Sequence, residues 1–463
     1  MGNLLSALNL AANSMDVIEQ SIGVVQNNVT NANTPGYVRQ IPTLIARPFE
    51  PQNGVTGGVV FGPVQSARNQ FAEQAVRLQN SLFGTASQAA SSLDSLQQNF
   101  DVSGTTGIPS ALSSLYSAFS AWATTPSNTS TQQQVITQAQ QVAQAFNDAA
   151  SALTQLGSNT DQQLKDTVSQ INALSAQIQQ INVHRRNGGY NDAGLDAQLN
   201  NALESLSNLT SIDVHYQNDG TVEVLMGGQT PLVIGTTQNV LSVGFTTPAN
   251  PANAGAPPAA VILDSDGQDV SRTVTDGALA GLMTFRNVTL AGVRGDSSNA
   301  GSLNQLAQAF ADRVNALVTP ASGIPLFTTS GGATNAAATL SVNPNMTAAD
   351  LVASSATSSN GTADALSRLG TSTDSDPTLG MSYTSFYALI ATTVGQQQSA
   401  AAAAASSQQD MLTQAQNARS QISGISLNEE ATQLIQFQQS YEAAARTVST
   451  INNMLASLMA MTV

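Results

Sequence analysis

Apolar residues near the start of the chain fall at Leu4, Leu8, Ala11, Met15, Ile18, Ile22, Val25 and Val29, in alternating steps of four and three. That spacing keeps one stripe of a helix apolar and predicts a heptad seam on a helix about 40 Å long. A second seam lies near the end, at Leu434, Phe437, Tyr441, Ala444, Val448, Ile451, Leu455 and Leu458, with Gln, Ser, Thr and Asn on the remaining faces. A lone amphipathic helix cannot bury its own stripe. The simplest partner for each terminal helix is the other. Pairing them makes one domain from both ends, residues 1–36 with 424–463, and turns everything between into an insertion. The outer faces carry few charges, as suits packing against further copies.

Between the ends the helical period recurs. Residues 65–100 place Phe71, Ala75, Leu78, Leu82, Ala89, Leu93, Leu96 and Phe100 on one face. Further helices are predicted at 109–123, 131–157, 161–183 and 195–209. The period then changes to two: Ile212, Val214 and Tyr216, a turn at Asn218-Asp219-Gly220, then Val222, Val224 and Met226, a hairpin signal. Strand-like runs follow at 231–234, 240–246, 259–263 and 268–275, with a Pro/Ala/Asn/Gly loop at 247–258. Helix returns at 300–318 and at 379–422. The expected fold is mainly α. Long coiled-coil helices from both termini form one rod-like domain. A long-helix domain covers 37–210 with 286–318 and 379–423. A β-rich inserted domain covers 211–285, and a loop-rich outer insertion covers 319–378.

Composition narrows the chemistry. The 463 residues carry 29 acids and 14 bases, a net charge of -15, and only 9% are charged, against roughly 25% in ordinary soluble domains. Thirteen bases are arginine and the fourteenth is Lys165. With no basic cluster there is no electrostatic footprint for nucleic acid and no polybasic membrane patch. No apolar run reaches the roughly 20 residues that span a bilayer. The start has no Lys or Arg before Arg39, so a cleaved signal peptide is not expected. Cysteine is absent, which excludes thiolate metal sites and a cysteine nucleophile. His184 and His215 are the only histidines, too few for a histidine metal site. Asp264-Ser265-Asp266-Gly267-Gln268-Asp269 gathers three carboxylates. Its glycine is fourth and the twelfth position is Thr275, unlike a calcium loop, so an acidic turn is the reading. No catalytic constellation and no cofactor site is expected.

Directly after the first helix comes Asn27-Asn28-Val29-Thr30-Asn31-Ala32-Asn33-Thr34-Pro35-Gly36-Tyr37, a helix stop followed by an extended run. Its Asn28, Asn31, Asn33, Thr34, Pro35, Gly36 and Tyr37 closely resemble the N-terminal signature of bacterial flagellar axial proteins, the rod, hook and hook-associated proteins. Ser423-Gly424-Ile425-Ser426-Leu427-Asn428-Glu429-Glu430, leading into Leu434–Arg446, resembles the closing motif of the hook-associated members that join hook to filament. Asp219–Val222, Leu232–Gly235 and Leu340–Pro344 resemble further segments of that group. The resemblance implies a non-enzymatic subunit exported by the flagellar type III apparatus without signal cleavage. It implies self-assembly into a tubular junction on the extracellular flagellum. Hook protein would lie on one side and the next hook-associated protein or filament on the other. It further implies an export chaperone on the C-terminal helix, where the apolar stripe of Leu434, Phe437, Tyr441, Val448, Ile451, Leu455 and Leu458 is the surface that suits a hydrophobic groove. A hook or rod subunit is the alternative. An enzyme carried on the insertion would need a catalytic cluster within 211–378, and none is visible.

Overall fold

The computed structural model describes residues 2–50, 55–100, 105–189, 191–246, 256–371 and 374–461. The chain opens with helix α1 (Gly2–Thr30) and closes with α12 (Leu427–Ala460), and these two lie along each other. After α1 come six short strands, β1 (Gln40–Ile41), β2 (Leu44–Ala46), β3 (Phe49–Glu50), β4 (Val55–Thr56), β5 (Val59–Phe61) and β6 (Gln65–Ser66). They pair antiparallel as β1–β6, β2–β5 and β3–β4, so they form one nested hairpin. The sequence pattern predicts only an extended run here. Pro42, Pro48 and Pro63 each remove a ladder donor and cut the strands into pieces too short for an alternation to register.

Four helices follow: α2 (Gln70–Gln97), α3 (Gly107–Thr124), α4 (Thr129–His184) and α5 (Ala193–Leu209). The two helices expected at 131–157 and 161–183 are one, the 56-residue α4. Its Gly157-Ser158-Asn159-Thr160 segment reads as a break. In the fold, Ser158 and Thr160 donate to the carbonyls of Thr154 and Leu156, and the side chain that Gly157 lacks leaves room for the Arg294 guanidinium. Arg294 is nine-tenths buried. Desolvation, then repulsion from Arg286, pulls its pKa down to about 10.

A four-stranded antiparallel sheet comes next, β7 (Ile212–Tyr216), β8 (Val222–Met226), β9 (Thr230–Ile234) and β10 (Thr237–Gln238), in the order β10-β9-β8-β7. Val214 faces Val224 across the first pair. β11 (Ser242–Phe245) and β12 (Ala260–Leu263) pair separately; of the loop expected at 247–258, residues 247–255 lie outside the described residues. Buried amides dock the sheet on α4. Asn182 donates to the Val222 carbonyl at 2.8 Å and accepts from the Val222 amide at 3.0 Å. The strand expected at 268–275 is instead a single bridge at Asp269 and a 3-10 turn at Ser271–Thr273. The Asp269 carboxylate accepts from both the amide and the hydroxyl of Ser271 and bends the chain there. These bonds, foremost the hydroxyl, hold its pKa below the usual value.

Helix then runs from Ala278 to Arg294 as α6 (Ala278–Thr284), a π turn (Phe285–Thr289) and α7 (Leu290–Arg294), so helix resumes well before the expected 300. After it come α8 (Ser302–Ser322), β13 (Phe327–Thr328), α9 (Ala336–Thr339), β14 (Ser341–Val342), α10 (Gly361–Arg368) and α11 (Tyr383–Ser423). Residues 319–378 carry short elements and contribute buried side chains to a core. Leu326, Phe327, Leu340, Leu351 and Leu366 are buried in the same core as Phe119 and Trp122 of α3, Phe146 of α4 and Phe310 of α8. Tyr383 stacks edge-on to Phe310 at 5.3 Å and donates to Asp376 at 2.6 Å. Burial, then that bond, pushes the Tyr383 pKa up. The second core joins Leu164, Ile171 and Ile178 of α4 to α5, the sheet and α6. The long α4 thus carries both cores, and α11 runs back along α2 toward the paired ends.

Candidate assembly site

The two motifs singled out in the sequence meet at the foot of the α1/α12 pair. Asn28, in the last turn of α1, is buried. Its side chain donates to the Gln40 carbonyl at 2.8 Å and to Glu430 Oε2 at 2.9 Å, and its Oδ1 accepts from the Gln40 amide at 2.9 Å. Glu430, in the first turn of α12, is 0% exposed and faces Arg39 Nε at 2.8 Å. Arg39 also reaches Glu429 at 3.1 Å. The Tyr37 hydroxyl donates to Asn28 Oδ1 at 3.3 Å. Burial, then the Glu430 charge, raises the Tyr37 pKa. The Arg39 amide donates to the Ser423 carbonyl, and the Ser423 hydroxyl to the Ala67 carbonyl. Three separate segments, 28–40, 66–67 and 423–430, are therefore clasped together.

The rest of the N-terminal motif shapes the turn into this clasp. Asn31 donates to Asn27, Thr34 donates to Asn31, and the Tyr37 amide to the Thr34 carbonyl. Gly36 sits at φ +75°, and a Cβ there would lie 2.4 Å from the Ala197 carbonyl oxygen of α5, so both conformation and space call for glycine. Asn33, Thr34 and Pro35 are exposed, and Asn33 and Pro35 take no part in the clasp.

Beneath it lies a charged cluster that the sequence reading missed. Arg68 bonds the Gly36 carbonyl at 2.6 Å, Asp196 at 2.8 Å and the buried Glu73. Arg419 of α11 closes the cluster on Glu73 at 3.1 Å and Glu204 at 2.7 Å. Burial opposes the charge on Arg419, but the bond and charge of Glu204, with Glu73, outweigh it and raise its pKa. In a chain this poor in charge, acids and bases spaced along otherwise neutral helices were the available signal.

The α12 stripe turned toward α1 runs through Glu430, Leu434, Phe437, Tyr441, Ala444, Val448, Ile451 and Leu455; Leu458 is 37% exposed. On α1 the buried positions are Ala11, Val17, Ser21, Val25 and Asn28. Leu4, Leu8, Met15, Ile18 and Ile22 are half-buried, and Val29 is 42% exposed. Val25 of the expected seam is buried, while beside Ile18, Ile22 and Val29 it is the preceding residues Val17, Ser21 and Asn28 that are buried. Ser21 and Asn28 sit in the contact because each is satisfied, Ser21 by the Val17 carbonyl. The hairpin also packs on α1, so apolar residues of α1 serve two faces and hydropathy alone mixes them. Elsewhere, His215 is exposed on β7, and Asp264 caps its own turn on the amides of Asp266 and Gln268. Among the described residues no group of three acids or histidines is placed to hold a metal, and no helix is long and apolar enough to cross a membrane.

A profile described as the flagellar hook-associated protein FlgK helical domain matches residues 93–333, more than half of the chain. The chain belongs to the FlgK family of flagellar hook-associated proteins. A second profile, the flagellar basal body rod FlgEFG protein C-terminal, matches residues 416–461, the end of α11 and all of α12. Flagellar hook-associated protein 1 of Bacillus subtilis is 25% identical over 496 aligned positions, covering 98% of both chains. The protein of that name in Salmonella typhimurium is 25% identical over 325 positions, covering 67% of this chain and 56% of that one. The chain thus spans little more than half of the Salmonella relative. A solved flagellar hook junction protein FlgK from Burkholderia pseudomallei is 26% identical over 56% of this chain and 47% of that one, with a TM-score of 0.47. Membership in the FlgK family favours a hook-associated subunit over a hook or rod subunit.

Proposed function

We propose that this chain is a structural subunit of the bacterial flagellum that polymerises as the junction between hook and filament. One observation carries the reading beyond family. The α1/α12 pair buries little on its own: among its apolar side chains only Ala11, Val17, Val25 and Ile451 are fully buried, while Leu5, Ile435, Met454 and Met459 stay exposed. A two-helix rod cannot close its own core. Lateral packing of further copies completes it. The subunit is exported through the flagellar type III apparatus and meets hook protein on one side and the next hook-associated protein or filament on the other. It performs no catalysis. Deleting the gene in a motile host tests the role. Intact hooks with secreted, unpolymerised filament protein are expected, and normal filaments would overturn the reading.

A cytoplasmic export chaperone covers the stripe Leu434–Leu458 before assembly. An exposed stripe of this length is an aggregation hazard and suits a hydrophobic groove. In the folded chain that stripe lies on α1, so the chaperone competes with α1 for it. Phe437→Ala in the full chain is expected to weaken chaperone binding by about 2–4 kcal/mol and Gln439→Ala hardly at all. Equal affinities would remove the stripe as the docking surface.

A further inference from the structure

Phe71 and Leu78 were expected in the core face of α2. They point outward instead, 84% and 54% exposed, because the opposite face of α2 carries Glu73 and Asn80 into the polar contacts with Arg68, Arg419 and α5. With Ile212 and Tyr216 of β7 they line a groove of about 790 Å³. Arg77 also lines it. This arginine is 8% exposed and has neither hydrogen bond nor ion pair among the described residues. Asp213, exposed on the groove's β7 edge, is likewise in no ion pair among them. An unpaired guanidinium opening into a groove of bare aromatic and aliphatic surface suits an anion carried on an apolar segment.

The same chain displays such a segment. Leu44, Ile45 and Phe49 on the hairpin are 51%, 51% and 70% exposed, and Arg47 and Glu50, also exposed, flank Phe49. The hairpin cannot reach the groove of its own chain. It runs back along α1, with Gly58 against Leu10, about 27 Å up the helix from Asn28. The groove begins at the first turn of α2, beside the clasp. We propose that the hairpin of a second copy docks in this groove, Phe49 between Phe71 and Leu78, Glu50 on Arg77 and Arg47 on Asp213. Knob and groove lie on different surfaces of one chain, so the contact is head-to-tail and propagates along an assembly rather than closing a dimer. The inference rests on the junction reading and names one of its contacts.

The chain has no cysteine, so F49C and L78C can be introduced singly or together into the full-length protein in a flagellated deletion host. In isolated hook–filament structures under oxidation, the double variant is expected to give a ladder of cross-linked copies. The two single variants co-expressed should give dimers, and each alone should give none. Cross-linking equal to that of F49C paired with Ile234→Cys, at an exposed position away from the groove, would overturn the proposal. So would a variant recovered in the flagellum but never cross-linked, or one linked only to another protein. Separately, Arg77→Glu or Glu50→Arg is expected to cut incorporation at least tenfold, and the two together to restore it; no rescue would also overturn it. A wild-type chain absent from the isolated structures would overturn the junction reading and this docking with it.

Discussion

Glu430 is a carboxylate with no solvent contact, held by one neutral amide, Asn28, and one partly exposed guanidinium, Arg39. Removing either partner strands charge or backbone in a dry place. Arg39→Ala leaves Glu430 without its counter-charge and is expected to cost about 3 kcal/mol, the lower end for breaking a buried pair. Asn28→Ala strands the Gln40 amide and carbonyl and is expected to cost about 1–3 kcal/mol. Urea unfolding of the full chain measures both, and proteolysis within 31–40 reports whether the clasp itself opens. Tyr37 adds a pH dependence. Burial and Glu430 raise its folded pKa above the usual value near 10, so the fold favours neutral phenol. Its contribution is fully present below about pH 10 and is lost as pH rises through the folded value. Tyr37→Phe should therefore resist alkaline opening better than the parent, although it is no more stable at pH 7. Parallel melting curves at pH 7 and pH 11 check this.

At the scale of elements, α2 shows how close packing dictates a residue. A Cβ on Gly84 would lie 2.1 Å from the Asn208 carbonyl oxygen at the end of α5 and 3.2 Å from the Ala278 amide. Gly84→Ala is expected to force α2 off both and destabilise by about 1–3 kcal/mol. Gly23, inside α1 two turns from its end, has nothing within 4 Å of the corresponding position, so Gly23→Ala should stabilise the free chain by about 0.5–1 kcal/mol through helix propensity. Opposite signs in thermal unfolding check the pair. Most helices and the Ile212–Met226 hairpin were legible because a single buried face imposes a clear period. The failures have a common cause. In the first half of α2 the buried face carries Glu73, Arg77, Asn80 and Ser81, so there hydropathy selected the exposed side, whereas Leu93, Leu96 and Phe100 of the same expected face are buried. On α1 two partners share the apolar residues. Across 319–378, short pieces bury isolated leucines in a distant core, which no local period records. The clasp was half legible: its two motifs stood out 400 residues apart, but only the fold joins Asn28 to Glu430.

For the whole molecule, the terminal pair separates two kinds of apolar residue that the sequence ran together. Val25 is 0% exposed and Ile451 5% exposed, so their partners lie within one chain. A carboxylate there is buried in the α1/α12 contact, at a cost of several kcal/mol. Val25→Asp and Ile451→Asp are expected to release both ends to protease while leaving the melting of the two inner cores, which share no residue with them, unchanged. Val29 and Ile435 are 42% and 54% exposed, so Val29→Asp and Ile435→Asp should leave the free chain folded and its ends protected. In the assembly proposed above those positions meet other subunits. The exposed pair should then block incorporation into flagella with no effect on the monomer, and the buried pair should block it by unpairing the ends first. Limited proteolysis of the monomer, set beside motility of the complemented deletion strain, separates the two. Normal motility with Val29→Asp and Ile435→Asp would mean that the outer face of the terminal pair is not where copies pack, and that the contacts between subunits lie on the hairpin and the groove of α2 instead.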